Sequence, residues 1–148
     1  MSIAEFLAAR LDVDEAVALD ATAGPWQQAP TTRRHITATG STEEIVYTTT
    51  PEPGAISLTV ASTGVERDRQ NLRNAEHIAR HDPARALREI ASKRAILELH
   101  ANGTPGVDYC KSCWDGNTPL DWPCPTLRAL AAVHADHPDY EPEWAPRT

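Results

Sequence analysis

The amino-acid sequence predicts a single α+β domain over residues 1–148, and three features of it point that way. Apolar residues recur at helical spacing near the N-terminus and again beyond residue 67, and three short runs of period-two alternation lie between. A C-x2-C pair with one further cysteine follows, in a segment rich in glycine and proline. In order, the elements are an N-terminal helix, a three-stranded antiparallel meander, two central helices, a zinc-knuckle loop and a short C-terminal helix. Residues 1–100 make the helix, meander and helix core, 101–134 the zinc-stapled loop and helix, and 135–148 an extended tail.

The first helix runs from about Ile3 to Ala21, with Ser2 as N-cap and Ile3, Phe6, Leu7, Leu11 and Val17 on its apolar side. Gly24 and Pro25 stop it, the one as a C-terminal turn and the other for want of an N–H. From Arg33 the pattern changes. Ile36 and Ala38, then Ile45 and Tyr47, then Ile56, Leu58 and Val60 alternate with polar residues, and Gly40 with Ser41 and Pro51 to Gly54 mark the turns between them. This predicts strands that are apolar on one face and threonine-rich on the other.

A second helix is expected from about Arg67 to Arg80, with Leu72, Ala75, Ile78 and Ala79 on one side. Asp82 as N-cap with Pro83 at the first helical position starts a third, which runs to about His100 before Asn102 and Gly103 end it. Its C-terminal half is apolar on two sides, Leu97 on one and Ile96 and Leu99 on the other, so the cysteine-bearing segment is expected to cover the second. Residues 103–125 form a loop long enough to need a function or a staple. Pro125 opens the last helix, with Leu127, Leu130 and Ala131 inward, and Tyr140 and Trp144 dock the proline-rich tail.

No apolar run approaches the roughly 20 residues that span a bilayer, and the N-terminus lacks a secretory pattern, so a cytoplasmic protein without membrane partners is expected. The net charge of −7 argues against an indiscriminate nucleic-acid binder. Residues 66–94 nevertheless hold eight basic side chains against five acidic ones, Arg73, Arg80, Arg85 and Arg88 among them. They read first as solvated helix faces with internal ion pairs, and secondly as a contact surface for nucleic acid.

Three cysteines cannot pair off completely, and in a reducing cytosol Cys110-x2-Cys113 with Cys124 reads as a structural zinc site. Zinc takes four tetrahedral ligands. His100, at the end of the preceding helix, is the favoured fourth. His134 and His137 are the alternatives: a continuous helix from Pro125 would put His134 about 15 Å from Cys124, and His137 needs the chain to double back. Three cysteines and a histidine close the site, whereas a catalytic zinc keeps a position open. The zinc-deaminase order fails, since no H-x-E precedes the knuckle and Cys110 follows tyrosine, not proline. His77 and His81, four apart with no acid between them, read as packing and capping residues. There is no P-loop, dinucleotide fingerprint or nucleophile elbow.

Ala23-Gly24-Pro25-Trp26, the run Asn74 to Arg88, Ile96 to His100, the Cys110/Cys113 pair, Trp122 to Arg128 and Ala135 to Tyr140 resemble, as an ordered set of blocks, an uncharacterised family of actinobacteria and their phages. The first two are also similar to early-region accessory proteins of temperate phages. The resemblance implies a phage or mobile-element origin and no particular activity. The expected function is therefore a non-enzymatic, zinc-stabilised accessory protein that binds a host protein or other macromolecule, with Trp114 and Trp122 as anchors or as covers of the site. Nucleic-acid binding through the basic helices is the alternative, and a nucleotide sponge or hydrolase a weaker one.

Overall fold

A computed structural model of the chain describes residues 1–29, 35–36, 42–48, 57–65, 70–100, 109–114, 117 and 122–147. The helices described are α1 (Ile3–Asp20), α2 (Gln70–Arg80), α3 (Pro83–His100) and α4 (Pro125–Ala131). The strands are β1 (Trp26–Gln28), β2 (His35–Ile36), β3 (Thr42–Thr48) and β4 (Thr59–Val65). This is the α+β architecture expected, with the cysteine-rich segment and the C-terminal helix in their predicted places. Ala38, Ile56, the turns at Gly40 and at Pro51 to Gly54, the start of the second helix at Arg67 and the stop at Asn102 and Gly103 lie outside the described residues.

The chain divides into two compact units, Met1–Glu15 with Glu89–Thr148, and Ala16–Arg88. The first is built on a stripe of α1. Ser2 and Glu5 begin that helix with a capping box, the Glu5 carboxylate accepting from the Ser2 N–H at 2.7 Å and the Ser2 hydroxyl from the Glu5 N–H at 3.3 Å. Ile3, Phe6, Leu7 and Leu11 then fall on one face and are buried. Ile3, Phe6 and Leu7 form one cluster with Cys110, Cys124, Leu127, Ala131 and Trp144, and Leu97, Trp122, Leu130 and Tyr140 pack against it.

Phe6 is its hub. Its ring meets His137 at 5.6 Å, His134 at 6.0 Å, Tyr140 at 6.2 Å and Trp144 at 5.0 Å between centroids. The tail is thus docked through Tyr140 and Trp144 as expected, and short 3-10 turns at Ala132–His134 and Pro142–Trp144 give it more regular structure than its composition suggested.

In the second unit β3 is the central strand. Glu43 pairs with both His35 and Val65, and Val46 with both Gln28 and Ala61, all antiparallel. β1 and β2 therefore share one edge of β3, and β4 takes the other. β2, β3 and β4 are the expected meander. β1 was not legible, because Trp26-Gln27-Gln28 has no apolar alternation. Between Glu43 and Ile45 the partner strand advances from Val65 to Ser62, one residue more than β3, which makes a bulge. Gly64, at φ 88°, takes up the left-handed conformation there.

α2 lies against β1, β3 and β4. The buried residues of β3 are Glu44, Val46 and Thr48, so the face expected to be inward, Ile45 and Tyr47, is the partly exposed one. The interface is polar for that reason. Thr63 donates its hydroxyl to the Asn71 carbonyl at 2.8 Å, Asn71 donates to the Gly64 carbonyl at 3.2 Å, and Gln28 donates to Glu44 at 2.9 Å. Hydrogen bonds thus tie α2 to β4 and β1 to the buried Glu44 of β3, so apolar alternation does not by itself decide which face is inward.

α3 starts as predicted. Asp82 accepts the Arg85 N–H at 2.7 Å, an N-cap one residue ahead of Pro83. Its other oxygen accepts the Trp26 N–H at 3.4 Å, which ties β1 to this cap. Val17 of α1 is 67% exposed while Ala18 is buried, because a seven-residue step from Leu11 returns to the same helical face and a six-residue step does not.

Candidate metal centre and exposed residues

The candidate site is assembled in the first unit from three stretches of chain. α3 delivers His100 at its last position. The segment after it returns Cys110, and a 3-10 turn over Lys111–Cys113, closed by the Cys113 N–H on the Cys110 carbonyl at 3.2 Å, brings Cys113 round beside it. Cys124 is the N-cap residue of α4, and the Arg128 N–H donates to its carbonyl at 3.1 Å.

The His100 Nδ1 lies 3.4 Å from the Cys110 sulfur, 3.3 Å from that of Cys113 and 3.5 Å from that of Cys124. All four donor atoms fall within 4.8 Å of one another. A tetrahedral ion with bonds of about 2.0–2.3 Å to one nitrogen and three sulfurs would hold them roughly 3.6–3.8 Å apart. Donor chemistry and spacing both fit a metal ion. His100, Cys110, Cys113 and Cys124 can hold one, and the three cysteines are free of disulfides. Binding through Nδ1 leaves the proton on Nε2.

Cys110 and Cys124 are fully buried, and Cys113 is half-buried. Burial, seconded by the neighbouring Cys110 and Cys124, pushes the Cys113 thiol up to about 12. The Cys113 thiol thus resists becoming a thiolate until a cation balances it, and a metal ion is such a cation.

Two residues outside the cysteine and histidine pattern brace the site. The Ser112 hydroxyl donates to the carbonyl of Leu99, one of the C-terminal carbonyls that α3 leaves unpaired, and so pins the knuckle to the helix end. Arg128 is buried on α4, donating from Nε to the Pro123 carbonyl at 2.8 Å and from its guanidinium to the Glu143 carbonyl. It joins the Cys124 segment to the tail. Sequence reasoning missed it. The available signal was an arginine four residues, about one helical turn, after a ligand that itself caps the helix.

His134 and His137, the alternative ligands, are elsewhere, with their rings against Phe6. His134 lines a small hollow with Leu7, Leu11, Lys93, Leu97 and Leu130. Trp114 is 47% exposed, with the Tyr109 ring 5.4 Å away, whereas Trp122 is half-buried against the core and is no exposed anchor. Leu99 is 66% exposed, so the cysteine segment covers its backbone and leaves its side chain in solvent.

Arg73, Arg80, Arg85 and Arg88 are all exposed in the second unit. Arg80 pairs with Glu76 at 2.6 Å, and Arg85 donates to the Arg80 carbonyl at 3.2 Å. In the first unit Arg94 is held between Asp12 at 2.7 Å and Glu15 at 2.8 Å. Arg80 and Arg94 of the basic stretch are thus engaged by acidic side chains. No described helix is long and apolar enough to cross a membrane.

Over residues 1–146 the sequence matches DUF6221, a family of unknown function. The chain belongs to the DUF6221 family. No curated protein and no solved structure matches it. In this DUF6221 member the candidate donor set and Arg128 all fall inside the matched region.

Proposed function

We propose that the chain is a non-enzymatic, zinc-stabilised accessory protein of phage or mobile-element origin that binds a macromolecule of its host. The observation that carries this is the closed donor set. One imidazole and three sulfurs around a single point fill every position of a tetrahedral ion and leave none for a substrate. Zinc is the ion that this ligand set favours, being borderline-soft and content with four ligands. The ordered sequence blocks support the mobile-element source.

The binding surface is assigned to the exposed side chains beside the knuckle, Trp114 foremost, because large aromatic residues are the commonest interface anchors. Nucleic-acid binding through residues 66–94 is the weaker reading, since Arg80 and Arg94 already carry acidic partners.

Elemental analysis of untagged protein tests the metal and should find about one zinc per chain. Cys113→Ser should lose that zinc together with a large part of the stability; a metal-free protein with unchanged melting sinks the assignment. The interaction is tested by capture from host lysate with the parent and with Trp114→Ala. A partner retained by the parent and depleted with the variant supports it, and identical recoveries refute it.

A further inference from the structure

Outside the cysteine cluster, His77 and His81 are the described side chains whose arrangement suits a ligand. His77 is on the last turn of α2, and His81 sits in the turn beyond it, its N–H donating to the Ile78 carbonyl at 3.1 Å. Both are exposed, so neither is a packing residue, while the His81 ring does cap the end of α2 as the sequence suggested. Their rings stand 4.3 Å apart between centroids, tilted by 38°.

The hydrogen bonding decides which nitrogens are available. His81 Nδ1 lies 2.7 Å from the His77 carbonyl oxygen. A carbonyl only accepts, so Nδ1 carries the proton, and the neutral ring keeps its lone pair on Nε2. This is the arrangement found behind metal-bound histidines, where a backbone carbonyl holds one ring N–H and leaves the other nitrogen to the ion. No described residue hydrogen-bonds the His77 ring. Two imidazoles on one ion at 2.0–2.1 Å place their nitrogens about 3.0–3.4 Å apart, which edge nitrogens of rings at this separation can reach.

We propose that His77 and His81 chelate a divalent transition-metal ion, at a site separate from the cysteine cluster. The chemistry selects nickel, copper or zinc over magnesium or calcium, since imidazole suits the former and the latter require oxygen ligands. Among the described residues none supplies a third ligand. Asp82 is committed to the Arg85 and Trp26 N–H groups, and Glu76 to Arg80. Water completes the shell, so the ion exchanges readily, unlike one enclosed by four protein ligands. Because His81 directly precedes the Asp82 cap, an ion held there joins the end of α2 to the start of α3.

The test is a nickel(II) titration of the untagged chain carrying one equivalent of zinc, followed by calorimetry and by the histidine side-chain resonances in NMR. His77 and His81 should broaden first, and His77→Gln and His81→Gln should each weaken that binding step by about tenfold or more. His77→Gln is the cleaner variant, because the His81 ring also caps α2. A His77→Gln isotherm that superimposes on the parent's, or broadening that starts at His134 and His137, overturns the proposal and leaves His81 as a helix cap alone.

Discussion

Gly24 shows how much a single missing atom can decide. A Cβ there would stand 2.8 Å from the Asp82 Oδ2 and 3.5 Å from the Ala84 Cβ, so the residue is glycine to let the chain pass close to the start of α3, and not to turn a helix end. Asp82 is held by two backbone donors and cannot swing aside without losing a cap. Gly24→Ala should therefore cost about 1–3 kcal/mol, the usual price of overpacking, measured by urea denaturation against the parent. His134 makes a prediction of its own. Burial lowers its pKa most, with Lys93, Arg10 and His137 adding to that and Asp14 opposing it. A histidine whose pKa is lowered by folding is protonated more readily in the unfolded chain, so stability falls as the pH drops below about 6.5 and levels off beneath the folded value. The difference in stability between the parent and His134→Gln should depend on pH in that window and be constant above it.

At the scale of elements, the tail and α4 depend on contacts that lie far apart in sequence. Trp144 is buried against Phe6, and Arg128 holds the neighbouring Glu143 carbonyl. Trp144→Ala should lower stability by about 3–5 kcal/mol. It should also raise amide exchange at Glu141 to Ala145, with the 3-10 turn of Pro142–Trp144 losing its protection first. A tail that exchanges at the same rate in parent and variant would show that its docking does not rest on this ring. The sheet is a contrasting case. Of its inward residues, Glu44 accepts from Gln28 and Thr48 from the Leu58 N–H, with Val46 buried between them, so the more apolar parity of β3 is the outer one.

For the whole molecule, the proposed zinc makes stability a property of the solution as well as the chain. An ion that binds the folded form alone should raise unfolding free energy by about 1.4 kcal/mol for each tenfold rise in free zinc above the dissociation constant. Thermal melts across a buffered zinc series should give a rising Tm, and Cys113→Ser a flat one. A parent whose Tm ignores zinc and chelator alike would dissociate the cysteine cluster from the fold's stability.

By itself the sequence determined the order of the helices and of the three meander strands, the start of α3 at Asp82 and Pro83, the inward stripe of the first turns of α1, and the choice of His100 to join the three cysteines. Each follows from local chemistry or from distance along a helix: a cap beside a proline, apolar spacing, and a rise that leaves His134 too far from Cys124. The tertiary structure alone decided that β1 exists, which face of β3 is buried, that Trp122 is covered while Trp114 and Leu99 are not, and that Arg128 braces Cys124. Those outcomes depend on partners distant in sequence. Trp26-Gln27-Gln28 becomes a strand because β3 and the Asp82 carboxylate accept it, and an arginine is buried because two carbonyls wait there. For the candidate metal centre, the two levels met: residue type and spacing named the four donors, and only the fold placed His100 Nδ1 about equally far from all three sulfurs.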